Sequence, residues 1–323
     1  MDAKSAVKSA CAADYSWLKV LVKYLTAGLA FACAWRVTVG DAHPFATGLM
    51  IALAFTPGVC ATLAAPLYVL TAFAATADFR LIISAVIAAV ACVAASVLRS
   101  KCRGRRAVFL AAFVAVAAES GFLWTGFCAG SKLYAPLGAL FSLCFAFTAY
   151  RAVSGAVAAG VKPTDADFAG LGIVLCVLSA GAFTVEIYGV KIGYALAVFA
   201  AGITCGLTGK GAGLFAAVCA GAGGAITLQT PEPLALTAFV AAAYLTFSDA
   251  IRLLAAVAAV MAAVLFELYF FLDPSALPPD MIAFFAGGAL YAAIPAKAIR
   301  AVRDARFTSV TGLAFRYVTE RKN

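Results

Sequence analysis

The sequence is short of what soluble enzymes use. Only 12% of its 323 residues are charged, there is one histidine, His43, and methionine and tryptophan are scarce at 4 and 3 copies. Soluble domains carry about 25% charged and about 45–50% apolar residues, whereas the apolar set AVILMFWYC reaches 65% here. A compact water-soluble domain of this length cannot hide so much apolar surface, so that class is excluded. A protein with one membrane anchor is excluded as well, because it would keep an ordinary composition outside its single span.

The reactive residues are equally thin. The ten cysteines (Cys11, Cys33, Cys60, Cys92, Cys102, Cys128, Cys144, Cys176, Cys205 and Cys219) form no CxxC and fall mostly in apolar runs. That spacing indicates neither a zinc site nor a disulfide framework, and they read as small core residues. His43 lies in the turn Gly40-Asp41-Ala42-His43-Pro44 and has no serine motif around it. A lone imidazole binds metal only with donors from elsewhere, so His43 is expected to be a solvated loop histidine. Thr208-Gly209-Lys210-Gly211 lacks the first glycine of a phosphate loop and has glycine in place of its hydroxyl residue, and it reads as a turn between spans. No enzyme activity, cofactor, metal or catalytic residue is expected.

What the chain does have is a succession of apolar runs. The first six are Val20 to Val39, Pro44 to Phe55, Gly58 to Ala75, Phe79 to Leu98, Ala107 to Phe127 and Leu133 to Tyr150. The second six are Phe168 to Val185, Ile192 to Thr208, Gly211 to Leu228, Pro233 to Phe247, Ile251 to Leu272 and Met281 to Ala296. The expected fold is all-α, a polytopic transmembrane helix bundle of about 10–12 spans with both termini cytoplasmic. Pro44 to Phe55 and Pro233 to Phe247 are shorter than the roughly 17 residues a straight crossing needs, so they are expected to tilt, re-enter or be bounded differently. Residues 1–19 read as a cytoplasmic segment, 20–296 as the bundle and 297–323 as a basic amphipathic tail. The lysines of the first 23 residues run directly into polytopic sequence, which reads as a first membrane helix rather than a cleaved signal.

The formal charge of +9, from 24 Lys+Arg against 15 Asp+Glu, is read as topology rather than as affinity for nucleic acid. Basic residues collect on the cytoplasmic side of membrane helices, and with the N-terminus inside, twelve spans place 20 of the 24 there. Among them are Arg99, Lys101, Arg103, Arg105 and Arg106, and the tail residues Lys297, Arg300, Arg303 and Arg306. These nine are the expected contacts to anionic lipid headgroups or to a cytoplasmic partner, each cation contributing about 1 kcal/mol at the surface. Arg36, Arg80, Lys132 and Lys191 fall outside. Reading Pro44 to Ala75 as a single span would put Arg99 to Arg106 outside, which favours a hairpin around Thr56-Pro57-Gly58.

Three ionisable residues within or beside apolar runs stand out: Glu119, Glu267 and Arg36. An unpaired charge at the bilayer midplane costs about 2.5–3.5 kcal/mol on insertion scales. Glu119 and Glu267 therefore read either as hydrogen-bonding carboxyls that fix the bundle or as proton or cation ligands of a transport path. Arg36 reads as snorkelling outward or pairing with a carboxylate. Small-residue pairs such as Gly202 and Gly206, Gly209 and Gly213, and the run Gly221-Ala222-Gly223-Gly224-Ala225 point to close helix packing. No inverted repeat of the transporter kind is visible.

Several patterns recur in the order of one family. Trp35-Arg36 is followed by Gly40 and by Pro44-Phe45 opening a short apolar helix. Tyr150-Arg151-Ala152 leaves a span, and Thr164-Asp165-Ala166-Asp167 precedes the next. Gly221-Ala222-Gly223-Gly224, Pro231-Glu232 and Ala292-Ala293-Ile294-Pro295 then lead to a basic helix. Over nearly its whole length the chain resembles the N-terminal polytopic membrane region of the stage II sporulation protein E family. The resemblance implies membrane anchoring, targeting to the sporulation septum, self-association, and cell-division or sporulation proteins as partners. That family continues into a manganese-dependent phosphatase, whose acidic metal-binding motif is absent here, so phosphatase activity is not carried over. The competing expectation is a secondary transporter using Glu119 and Glu267.

Overall fold

In the computed structural model the described residues are 20–39, 42–56, 59–76, 78–101, 134–157, 165–248, 252–270 and 277–300. Among them the structure is helical apart from one two-stranded hairpin and an isolated bridge between Val39 and Ala42. Four helical stretches are long and apolar enough to cross a membrane: Phe79–Val97, Ala166–Phe183, Lys210–Leu228 and Arg252–Phe270. The chain divides into two compact units, Met1–Phe147 and Thr148–Asn323.

The first unit holds α1 (Val20–Ala34), α2 (Pro44–Phe55), α3 (Ala61–Ala75), α4 (Phe79–Lys101) and the beginning of α5 (Tyr134–Val157). Helix α1 ends five residues before the apolar run does. The amides of Arg36 and Val37 reach back to Cys33 and Ala34, and Val39 and Ala42 bond each other's backbone at 3.0 and 3.3 Å, reversing the chain. Pro44 then opens α2, where its missing N–H and fixed φ suit the first turn. At 12 residues, α2 is about 18 Å long, well under the about 30 Å of a bilayer core. Every residue of it except Phe45 is buried, so it is a half-length helix inside the unit rather than a lipid-facing crossing. Ser142 of α5 donates to the Pro44 carbonyl at 2.9 Å, and Gly48 allows that backbone to come close.

The second unit holds the rest of α5, α6 (Asp165–Phe183), the hairpin β1 (Glu186–Ile187) and β2 (Val190–Lys191), α7 (Ile192–Thr208), α8 (Lys210–Leu228), α9 (Glu232–Phe247), α10 (Arg252–Phe270) and α11 (Leu277–Ala293). Helix α8 is central and packs on α6, α7 and α9, while α11 packs on α10, α7 and β2. The buried positions of α8 are all Gly or Ala: Gly213, Ala216, Ala217, Ala220, Gly221, Gly223 and Gly224. A side chain on Gly223 would overlap the Cys176 carbonyl of α6, and one on Gly213 would lie 2.7 Å from the Ala201 carbonyl of α7. The sequence pairing of Gly209 with Gly213 does not hold, because Gly209 is in the turn between α7 and α8 with φ +120°. Gly202 and Gly206 form a real pair, making room for the ring and hydroxyl of Tyr291.

Helix α10 is turned largely inside out relative to a water-soluble one. On α10 the core face is Ala255, Ala256, Ala259, Ala262 and Ala263, joined near its end by Phe266 and Glu267, while Val257, Met261, Leu265 and Leu268 point outward. Leu265 is 60% exposed and Ala263 1%. Large apolar side chains outside and small ones inside fit a solvent of lipid, where association relies on close packing instead of the hydrophobic effect.

Candidate functional site

Alternating helix directions bring several connections of the second unit to one end. Helix α6 leads into the hairpin, α8 ends just before Pro231-Glu232, and α10 carries Glu267 one turn before its end. Helix α11 starts there, with Asp280 in its first turn. In the hairpin Glu186 stands opposite Lys191 and Ile187 opposite Val190. Tyr188 and Gly189 both take positive φ, 51° and 82°, the signature of a tight primed turn. Gly189 packs beside Pro279, so the hairpin tip rests on the residue preceding Asp280.

The result is a charge cluster assembled from five elements. Asp280 is 5% exposed although it lies just outside the apolar run Met281 to Ala296. Burial pushes its carboxyl up from the ordinary aspartate range to about 6, with Lys191 opposing the shift and Glu232 and Glu186 adding to it. Beneath it lies Tyr194 of α7, 1% exposed, between the rings of Phe183 and Phe284 at 4.8 and 4.9 Å. Asp280, Glu232 and Glu267 all act electrostatically on Tyr194. Among the described residues no group of three or more His, Cys, Asp or Glu side chains is placed to hold a metal ion.

The opposite end of this unit is basic. The Arg252 guanidinium donates to the Ile294 carbonyl and lies over the Tyr291 ring. Lys210, Lys297 and Arg300 are exposed, the last two in a helical stretch over residues 296–300 that begins after Pro295. Asp167 in the first turn of α6 pairs with Arg151 of α5 at 3.5 Å, so the two successive helices are tied by one ion pair.

Of the residues singled out from sequence, Glu267 is buried, at 2% exposure, and Arg36 is exposed. Glu119, Arg103, Arg105, Arg106, Arg303 and Arg306 lie outside the described residues; Arg99 and Lys101 belong to the last turn of α4. Sequence reading missed that Glu267 lies within electrostatic reach of the buried Tyr194.

Two expectations are corrected. His43 is not a solvated loop residue; it is buried, and its Nδ1 donates to the Trp35 carbonyl at 2.6 Å. It packs against the Trp35 ring, which also meets Tyr68, whose hydroxyl shares a 3.0 Å hydrogen bond with Thr47. The cysteines are not uniformly core residues either. Among those described Cys92 is buried, but Cys60 and Cys144 are exposed.

A shallow apolar hollow of about 500 Å³ lies outside α9 and α10, lined by Phe239, Leu265, Phe266, Leu268, Tyr269 and Phe270. Compared with family models, curated proteins and solved structures, the chain matches none.

Proposed function

We propose that the chain is a non-enzymatic, multi-pass anchor of the cell membrane, of the kind its sequence resembles in the stage II sporulation protein E family. In this reading it gathers at the sporulation septum, self-associates, and couples a cytoplasmic cell-division or sporulation protein to the bilayer. The observation that carries the reading is the backbone-to-backbone packing around α8, where Gly213 and Gly223 bring neighbouring carbonyls too close for any side chain. Helices held at that distance cannot slide without losing a continuous set of contacts, and a bundle of fixed shape suits an anchor. The basic end supplies the exposed Lys210, Lys297 and Arg300 for anionic headgroups and for the partner. Deletion from Lys297 onward is expected to disperse the partner while the chain still inserts. A partner distribution unchanged by the deletion overturns the reading.

Burial of Glu267 beside Tyr194 favours one other reading, a secondary transporter that uses Glu119 and Glu267. Purified protein in liposomes tests it directly. Proton-driven solute movement that disappears in both Glu119→Gln and Glu267→Gln would replace the anchor reading with transport.

A further inference from the structure

We propose that Asp280 is a reversible proton-binding site, and that its protonation seats the hairpin β1–β2 against the head of α11. This holds whether the bundle anchors or transports, since it concerns one face of the second unit.

The charge inventory leads to a proton. Glu186, Glu232, Glu267 and Asp280 converge on this end with Lys191 as the opposing charge among the described residues that act on Asp280 and Tyr194. Carboxylates in excess can be relieved by a metal ion or by protonation. No three of them are placed to hold a metal among the described residues, which leaves protonation. Asp280 is the member suited to it. Among the described residues only burial and the charges of Lys191, Glu232 and Glu186 act on its carboxyl, and none of them offers a hydrogen bond that supports the ionised form. Tyr194 is a second, independent sign of an incomplete site. Its side chain is almost wholly buried, three carboxyls act on it, and among the described residues no hydrogen bond to its hydroxyl contributes.

The hairpin turns this titration into movement. Its two-residue turn is stiff, and its tip packs on Pro279. Ionised Asp280 competes with Glu186 for Lys191 and repels both Glu186 and Glu232. Protonated Asp280 does neither, leaving Lys191 to its cross-strand neighbour Glu186 and the tip free to settle on Pro279. The titratable groups that act on this site come from six elements: Glu186 from β1, Lys191 from β2, Tyr194 from α7, Glu232 from α9, Glu267 from α10 and Asp280 from α11.

The full chain, reconstituted in lipid nanodiscs, is titrated from pH 4.5 to 8 while infrared difference spectra follow the protonated-carboxyl stretch. Hydrogen exchange over residues 185–192, corrected for intrinsic pH dependence, follows the hairpin. The expected result is a carboxyl band lost with a midpoint near the value of about 6 for Asp280, with hairpin protection lost over the same range. Asp280→Asn should lose both signals. Lys191→Gln should move the midpoint up and Glu232→Gln should move it down, and these opposite shifts decide the matter alone if Asp280→Asn fails to insert. A midpoint that neither variant moves, or a band that survives in a well-inserted Asp280→Asn, overturns the proposal.

Discussion

The guanidinium of Arg252, at the start of α10, donates a 2.6 Å hydrogen bond to the carbonyl of Ile294, just past the end of α11. A cation at a helix N-terminus opposes that helix's dipole, but here the same group satisfies a carbonyl at the C-terminal end of the neighbouring helix. Its plane also lies over the Tyr291 ring, 4.8 Å from the ring centre, and Tyr291 occupies the groove made by Gly202 and Gly206. One side chain therefore ties α10, α11 and α7 together. Arg252→Ala is expected to lower stability by about 1–3 kcal/mol. Arg252→Lys should recover only part of this, because an ammonium keeps the charge but not the planar stack. Unfolding in a mild detergent titrated with a denaturing one measures both.

Glycine packing around α8 makes a sharper contrast possible within one helix. Gly223→Ala places a methyl group on the Cys176 carbonyl, which must move because it is backbone. A loss of about 1–3 kcal/mol is expected, as for other overpacked interiors. Gly211→Ala, on the same helix, meets nothing within 4 Å and should be neutral or stabilising by up to about 1 kcal/mol through helix propensity. If both variants melt alike, close backbone contact is not what holds α8.

The outlines of many helices were legible in the sequence, and the reason is visible at their ends. Helix α7 spans Ile192–Thr208, the apolar run itself, since Lys191 lies at the hairpin and Gly209 takes a φ of +120°. Helix α5 instead runs on through Arg151 to Val157, with the charge that hydropathy takes for a boundary paired at 3.5 Å with Asp167 of the next helix. Burial of His43 was not legible. It depends on Trp35 and Tyr68, which no local pattern links to it. The carboxyl cluster was hidden for the same reason. Its members are spread from Glu186 to Asp280, and each reads singly as loop or span-end charge until alternating helices bring them to one end.

Cys60 is expected to be the fastest-reacting of the described thiols. It precedes the first turn of α3, exposed, with its Sγ 2.8 Å from the Thr62 hydroxyl and its backbone N–H donated to the Tyr24 hydroxyl. The Thr62 hydrogen bond first, then bonding to the backbone at Leu63, draws its thiol below the ordinary cysteine range, with Lys23 adding a smaller effect. Thiolate is the reacting species, so a maleimide at neutral pH should modify Cys60 at least about tenfold faster than buried Cys92. Thr62→Val should slow Cys60 while leaving the other thiols unchanged. Equal rates in the variant and the parent chain would remove the hydroxyl as the cause.

Asp280 also fixes the sign of a stability profile. Its folded-state carboxyl titrates at about 6, above the ordinary aspartate range, mainly because it is buried. The folded chain therefore holds that proton more tightly than the unfolded chain does. The resulting stabilisation is complete below the unfolded-state value near 4 and is lost as pH rises through 6. Between pH 5 and 7.5 the chain should lose about 1–2 kcal/mol from this group, after allowing for solvent screening at the helix end. Asp280→Asn, which cannot ionise, should flatten the profile and exceed the parent chain in stability at pH 7.5, while the two converge toward pH 4.5. Melting followed by circular dichroism across that range checks it, and parallel profiles for the two proteins would mean that burial of Asp280 carries no cost.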